Sequence, residues 1–245
     1  MKAKNILMIA VFGMGASQVV AQSEYSVDLY DSQRGRVVPV TVYQPQKENA
    51  RTQVIIFNHG YDGNKNSKSN QSYSYLTRSL SQKGYYVISI QHELPNDPLL
   101  AMTGEFMQTR MPDWERGVGN IWFVIGEFKK LKPALNWKRL TVIGHSNGGD
   151  MTMLFASRHP DLLTKAISLD HRRMVMPRCS HPQIYTLRGC DYEADEQVIP
   201  TIEEQQRFHI TVVKLQGIGH GDMDDKGSRE QHSGILHYIC EFLKD

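Results

Sequence analysis

Residues 144–148 read GHSNG, which places Ser146 between small residues in the pattern G-x-S-x-G. An apolar run at 140–143 precedes this segment, and a helical pattern follows it. A sharp turn from a buried strand into a helix strains the serine backbone and presents its hydroxyl to solvent. The pattern therefore predicts that Ser146 is the nucleophile of an acyl-transfer reaction.

Acyl transfer also needs N–H donors that are already aimed at the oxyanion of the tetrahedral intermediate. The backbone N–H of Asn147, at the start of the predicted helix, is one candidate. Residues 58–63, NHGYDG, directly follow the apolar run at 54–57, and the N–H of Tyr61 in that loop is the second candidate. His59 of the same loop fits the shaping of the loop better than the role of a general base.

The elements that must position these groups follow from the hydrophobic pattern. Short continuous apolar runs are typical of parallel strands that helices cover on both faces. Such runs lie at 54–57, 85–90, 140–143, 166–169, 184–187 and 210–213. Two earlier segments, 25–29 and 38–42, alternate apolar with other residues and predict antiparallel strands at the edge of the sheet.

Three helices are predicted to pack on this sheet. The first spans 113–131, where apolar residues recur at three- and four-residue steps, with Asp113 as its N-cap and Pro133 beyond its end. The second follows Asn147, and the third closes the chain with Ile235 and Ile239 on one apolar stripe. Strands that alternate with helices predict an α/β fold in one domain.

With its His-Gly loop, its G-x-S-x-G turn, and acidic residues followed by a histidine, the chain resembles the α/β-hydrolase family over essentially all of residues 22–245. It is similar to the secreted esterases and dienelactone-hydrolase-like members without a separate cap domain. The resemblance implies the α/β-hydrolase fold, a mostly parallel sheet of eight strands, and a triad in the chain order Ser, Asp, His. Serine stands where dienelactone hydrolases carry cysteine, so dienelactone itself is not the expected substrate.

The resemblance places the general base after the last strand, near the C-terminus. His220 has that position within GIGHGD, residues 217–222, and its flanking glycines leave room for the ring to reach Ser146. His232 and His237 fall within the predicted terminal helix and are expected to face solvent or neighbouring helices. His220 is therefore the predicted general base.

Three aspartates are candidates for the acid that orients His220 and stabilises its imidazolium form. Asp191 is preferred because it lies two residues past Gly189, which ends the strand, as expected of a group held rigidly at the strand edge. Asp195 is the alternate acid, since the residues that follow it also resemble the acid loop of the family. Asp170, after the preceding strand, is the third candidate.

Two further segments are predicted to lie near the substrate. Residues 94–111 follow a strand at the edge where ligands bind in such sheets, and they are expected to roof the site. Their methionines either accommodate an acyl chain or pack the loop onto the body. Arg172 and Arg173 offer guanidinium groups to a substrate carboxylate or phosphate, although pairing with nearby acids such as Asp170 is favoured.

Asp222, Asp224 and Asp225 crowd together just after His220 and raise the question of a calcium site. A calcium loop needs several more oxygen ligands and a terminal bidentate carboxylate, and neither is found in register here. A solvated acidic turn is expected instead. The proposed chemistry implies no metal and no organic cofactor.

Residues 1–21 have the pattern of a secretory signal peptide, with Lys2 and Lys4, an apolar stretch at 6–16, and small residues that end at Ala21. The apolar stretch is shorter than the roughly 20 residues that a membrane-spanning helix requires. We therefore expect cleavage after Ala21, export to the periplasm or beyond, and no stable membrane anchor.

The composition is that of one ordinary globular domain, because 245 residues with 40% hydrophobic and 22% charged residues can bury a sizeable core. Without Lys2 and Lys4 the basic and acidic residues are equal in number, so no nucleic-acid partner is expected. The cysteines show no metal-ligand spacing. Whether Cys179 and Cys190 form a disulfide or all three thiols stay reduced is left open.

Together these features predict an exported serine hydrolase that cleaves small carboxylic esters through a Ser-His-Asp triad and an acyl-enzyme intermediate. A serine peptidase or acyltransferase would use the same triad with a different pocket. A catalytically silent scaffold that only binds is the third hypothesis, and the joint presence of nucleophile, base, acid and oxyanion loop argues against it. The oligomeric state is left open.

Overall fold

A computed structural model describes residues 23–244, and the predicted signal peptide lies outside these residues. Eight strands form one sheet in the order β1-β2-β4-β3-β5-β6-β7-β8 within the described chain. The strands are β1 (Glu24–Asp31), β2 (Arg36–Tyr43), β3 (Gln53–Asn58), β4 (Tyr86–Ile90), β5 (Asn136–His145), β6 (Lys165–Leu169), β7 (Gln183–Arg188) and β8 (Thr211–Lys214).

Strand direction follows the hydrophobic patterns. Strand β2 pairs antiparallel with both β1 and β4, and every other neighbouring pair is parallel. The alternating segments form β1 and β2, and the continuous apolar runs form the remaining strands, as predicted. The parallel strands end at one edge of the sheet, which brings the loops that follow them together.

Helices cover both faces of the sheet. They are α1 (Ser74–Gln82), α2 (Phe106–Thr109), α3 (Met111–Leu131), α4 (Ser146–Arg158), α5 (Ile202–Phe208) and α6 (Arg229–Leu243). Helix α3 begins earlier than predicted, with Arg110 as its N-cap and Pro112 in the first turn, where the fixed φ of proline suits a helix. Asp113 therefore lies inside the first turn, and its assignment as the N-cap is wrong.

The core consists of two apolar layers, one on each face of the sheet. Successive residues of β3 point to opposite faces, so Ile56 packs in one layer and Phe57 in the other. The first layer includes Trp114 of α3 and Phe155 of α4, and the second includes Ile239 of α6. Burial on both faces explains why the parallel strands are continuously apolar.

No helix within residues 23–244 combines the length and the apolar character needed to cross a bilayer. Cys179, Cys190 and Cys240 are free thiols, which corresponds to the fully reduced alternative.

Candidate active site

Ser146 lies at the junction of β5 and α4 with a φ of +52°, in the left-handed region that side chains rarely adopt. A Cβ on Gly144 would collide with the backbone oxygen of Gly148. A Cβ on Gly148 would in turn collide with the backbone oxygen of Asn58 in β3. Glycine is therefore required at both positions, and the tight packing holds the strained serine in place.

The ring of His220 connects Ser146 to a carboxylate. His220 begins a short 3₁₀ turn between β8 and α6, and its Nε2 lies 3.0 Å from Oγ of Ser146. Its Nδ1 lies 2.6 Å from Oδ2 of Asp170. Because an ionised carboxylate only accepts hydrogen bonds, Nδ1 carries the proton and Nε2 is free to accept from the serine hydroxyl.

Asp170 follows β6 directly, with a φ of +48°, and its side chain is fully buried. Burial by itself raises the pKa of this carboxyl, but the hydrogen bond from His220, the charge of Arg188 and the N–H of Gly189 together lower it to about 2. Nη2 of Arg188 lies 3.0 Å and the N–H of Gly189 lies 2.9 Å from Oδ1. The carboxylate therefore stays ionised at neutral pH.

This arrangement corrects the choice of acid. Asp191, preferred from the sequence, accepts the backbone N–H of His220 at 2.8 Å and so fixes the turn instead of the ring. Asp195, the alternate, forms an ion pair with Arg173. Strands β6 and β7 are parallel neighbours, so an acid after either strand lies near the same histidine, and Asp170 after β6 is the one in contact with the ring.

Tyr61 and Asn147, the predicted oxyanion donors, both line a cavity of about 220 Å³ that opens at Ser146. Asn147 is the second residue of α4, where backbone N–H groups have no acceptor within the helix. In the loop that carries Tyr61, the buried ring of His59 donates from Nδ1 to the oxygen of Gly60 at 2.7 Å. Burial lowers the pKa of His59 to about 4, so the ring is neutral and braces this loop.

A second brace on the same loop was not predicted from the sequence. The hydroxyl of Tyr73 accepts the N–H of Gly60 at 3.0 Å and lies 2.7 Å from Nδ1 of His145. Burial lowers the pKa of His145 well below its usual value, so the ring that shares this hydrogen bond with the tyrosine hydroxyl is neutral. Tyr73 thus ties the loop that carries Tyr61 to the residue just before Ser146.

Next to Ser146 in the chain, three hydrogen bonds clamp the side chain of Asn147. Its Oδ1 accepts from Nε1 of Trp114 at 2.8 Å, and its Nδ2 donates to Asp113 at 2.8 Å and to Glu93 at 3.1 Å. Burial and the charge of Asp113 raise the pKa of Glu93 to about 8. Glu93 lies three residues past the end of β4, and no sequence motif indicates this clamp.

Two cavities open at Ser146. The larger, of about 690 Å³, lies between the Tyr61 loop and the turn that follows His220. The smaller cavity is walled partly by Leu100 and Met102, so the segment predicted to roof the site contributes to it. Elsewhere in that segment Met107 is exposed and Met111 packs on the core.

The acidic residues after His220 brace the surrounding loops. Asp225 accepts the N–H groups of Ser74 and Tyr75 at the start of α1, at 2.9 and 3.0 Å. Asp222 accepts the N–H of Gly219 at 2.8 Å, and Asp224 pairs with Lys226. Within residues 23–244, no group of three or more His, Cys, Asp or Glu side chains is arranged to hold a metal ion.

The sheet order and the nucleophile turn after β5 define the α/β-hydrolase fold. A fungal esterase from Rhizomucor miehei superposes with a TM-score of 0.66 at 15% identity, covering 93% of this chain and 84% of that one. Esterase 2 of Thermogutta terrifontis gives 0.64 at 13%, covering 91% and 94%. A dienelactone hydrolase-like promiscuous phosphotriesterase from metagenomic libraries gives 0.66 at 14%, covering 90% and 97%.

Residues 40–172, more than half of the chain, match the BD-FAE family, and the chain belongs to that family. The matched region includes Ser146 and Asp170 and ends before His220. A curated relative, a serine hydrolase-like protein of Danio rerio, is 33% identical over 48 residues, which are 20% of this chain. The match covers only 15% of the length of that relative.

Proposed function

We propose that this protein is a serine hydrolase that cleaves carboxylic esters of small molecules through Ser146, His220 and Asp170. The observation that carries the proposal is the continuous chain of hydrogen bonds from Oγ of Ser146 through the His220 ring to Asp170, at 3.0 and 2.6 Å. Membership of the BD-FAE family and the esterases among solved structures of the same fold support it.

The geometry suits two successive acyl transfers. His220 takes the hydroxyl proton of Ser146 as its oxygen attacks the ester carbonyl, and Asp170 stabilises the imidazolium that forms. The N–H groups of Tyr61 and Asn147 hold the oxyanion. His220 then returns the proton to the leaving alcohol, and the same ring activates the water that releases the acyl group from the serine.

Export is part of the proposal. It rests on the positive start, the apolar stretch and the small residues of positions 1–21. Expression of the full chain in a host with a periplasm, followed by N-terminal sequencing of the protein released from that compartment, tests it. The expected first residue is Gln22, and recovery of the intact chain from the cytoplasm would contradict export.

Hydrolysis of 4-nitrophenyl acetate tests the activity. Ser146→Ala is expected to lower kcat by at least about a thousand-fold, since the attacking oxygen is lost. Ser72→Ala is the matched control, because Ser72 lines the larger of the two cavities but has no place in the triad. Turnover by Ser146→Ala at the level of the unaltered protein would overturn the proposal.

A further inference from the structure

The smaller cavity beside Ser146 has three guanidinium groups in its wall, those of Arg110, Arg172 and Arg173. Arg110 precedes α3, whereas Arg172 and Arg173 lie in the loop after β6. Two separate segments therefore converge with like charges on a cavity of about 220 Å³. Like charges repel, so such a cluster needs a structural or a binding explanation.

An aromatic ring lies close to each of these guanidinium groups. The Cζ atoms of Arg110 and Arg173 lie 4.3 and 4.5 Å from the ring centre of Phe106. Cζ of Arg172 lies 4.0 Å from the ring centre of Tyr192. A cation–π contact uses none of the N–H donors of a guanidinium. Arg110 donates from Nε to the oxygen of Ala101 at 2.8 Å and from Nη2 to Sδ of Met102 at 3.9 Å, which leaves its Nη1 for a ligand.

The acidic partners leave several of these donors unused. Nη2 of Arg172 is 3.6 Å from Oδ2 of Asp170, beyond hydrogen-bond distance. Arg173 pairs with Asp195 through Nη1 only. Among the described residues, the buried Nε atoms of both Arg172 and Arg173 have no hydrogen-bond partner. These two Nε atoms are enclosed by protein and out of reach of a ligand. The outer Nη2 atoms of both groups make no hydrogen bond within residues 23–244, so they remain available to an anion.

One carboxylate, Asp150, also faces this cavity. Its Oδ1 accepts the backbone N–H groups of Arg173 and Met174, both at 2.9 Å. The charge of Asp150 therefore holds the loop that carries two of the arginines. With three cationic side chains and one anionic side chain in its wall, the cavity remains suited to an anion.

We propose that this cavity is a subsite for a carboxylate carried by the ester substrate. The inference rests on the proposed function, because it names the class of ester that Ser146 receives. A guanidinium fork matches a carboxylate in shape and charge. The subsite is the smaller of the two cavities described at Ser146, with about 220 Å³ against about 690 Å³.

Two substrate pairs test the subsite and distinguish the acyl part from the alcohol part. The acyl pair is the mono-4-nitrophenyl ester of adipic acid and 4-nitrophenyl hexanoate, which have acyl chains of equal length. The alcohol pair is 4-carboxyphenyl acetate and 4-carbamoylphenyl acetate, whose leaving groups are similar in shape. The rate of spontaneous hydrolysis is subtracted for each ester. In one of the two pairs, the kcat/KM of the anionic ester is expected to exceed that of its neutral partner by about ten-fold or more.

Two arginine variants then test whether the preference for the anionic ester arises in the smaller cavity. Arg110→Gln and Arg173→Gln are each expected to reduce the ratio of anionic to neutral kcat/KM towards one. Arg158→Gln is the matched control, because it removes the same charge from an exposed side chain paired with Glu115, and its ratio should stay unchanged. Arg172 is left unaltered because it lies beside Asp170.

The kcat/KM values of the unaltered protein for the four esters test the proposal even if a variant fails to fold. Equal kcat/KM values within both pairs, with neutral esters hydrolysed, would overturn the carboxylate subsite and leave the ester hydrolase intact. An equal loss of preference in Arg158→Gln would also overturn it, because the effect would then be one of overall charge. Failure to hydrolyse any of the four esters would instead count against the proposed function.

Discussion

Nδ1 of His220 donates to Oδ2 of Asp170 over 2.6 Å, although 50 residues separate the two in the chain. Asp170 reaches this position because its backbone turns into the left-handed region directly after β6. Arg188 and Gly189, at the end of the neighbouring strand β7, hold its other oxygen. The acid thus rests on two adjacent strands, which are more rigid supports than a long loop.

Asp170→Asn is expected to lower kcat for 4-nitrophenyl acetate by about 10³- to 10⁴-fold, because the neutral amide neither fixes the tautomer of His220 nor stabilises its charge. Asp191→Asn and Asp195→Asn should have much smaller effects, since these carboxylates contact the backbone of His220 and the side chain of Arg173. Steady-state kinetics of the three variants makes the comparison. A large fall in kcat for Asp191→Asn with a small fall for Asp170→Asn would show that Asp191 is the acid of the triad.

Tyr73→Phe is expected to destabilise the fold by about 1–3 kcal/mol and to lower kcat, because it leaves the N–H of Gly60 and Nδ1 of His145 without the buried hydroxyl. The loop with the Tyr61 donor would then lose one of its braces. Urea unfolding and ester kinetics measure the two effects.

Tyr75→Phe is the control for this variant, since the hydroxyl of Tyr75 donates to the oxygen of Met223, away from the oxyanion loop. Its kcat is expected to stay close to that of the unaltered protein. Equal losses of kcat in the two variants would show that Tyr73 has no special role in that loop.

Trp114→Phe is expected to lower kcat by up to about 10²-fold with a smaller change in KM, because the indole N–H helps to orient Asn147 and hence its oxyanion donor. Trp137→Phe is the matched control, since it loses an indole hydrogen bond to the oxygen of Lys132 instead. The kcat and KM of both variants are measured below their unfolding temperatures and compared. An unchanged kcat in Trp114→Phe would show that the hydrogen bond from Trp114 to Asn147 does not contribute to catalysis.

The raised pKa of the Glu93 carboxyl predicts that the stability of the fold depends on pH. Its pKa is about 8 in the folded protein and about 4.3 in an unfolded chain, so the folded state binds more protons between these values. The free energy of unfolding therefore falls as pH rises through this range, and the contribution of the protonated carboxyl is lost above about pH 8. Buried His59, with its lowered pKa, acts in the opposite direction, but only below about pH 6.5.

Comparison of Glu93→Gln with the unaltered protein isolates this effect, because glutamine resembles the protonated acid but does not titrate. Between pH 7 and pH 9 the unaltered protein should lose about 1 kcal/mol relative to the variant, as measured by urea unfolding. A constant difference across that interval would mean that Glu93 does not titrate between pH 7 and pH 9, contrary to the raised pKa.

The sequence was sufficient to predict the strands and the nucleophile turn, because burial on both faces leaves continuous apolar runs and close packing requires glycine at 144 and 148. It was not sufficient to choose the acid. Asp170 and Asp191 both follow strands that end beside His220, and the choice depends on a local backbone turn that composition does not reveal. The clamp on Asn147 joins residues from three separate segments, so no local pattern predicts it.

In the proposed mechanism, the hydroxyl of Ser146 is the activated nucleophile. Treatment with a fluorophosphonate, followed by peptide mass spectrometry, tests it most directly. The predicted result is one stoichiometric adduct on Ser146, retained in Ser72→Ala and lost in both Ser146→Ala and His220→Ala. Folded, unaltered protein that stays unlabelled at Ser146, or that carries its adduct on another residue, would contradict the account.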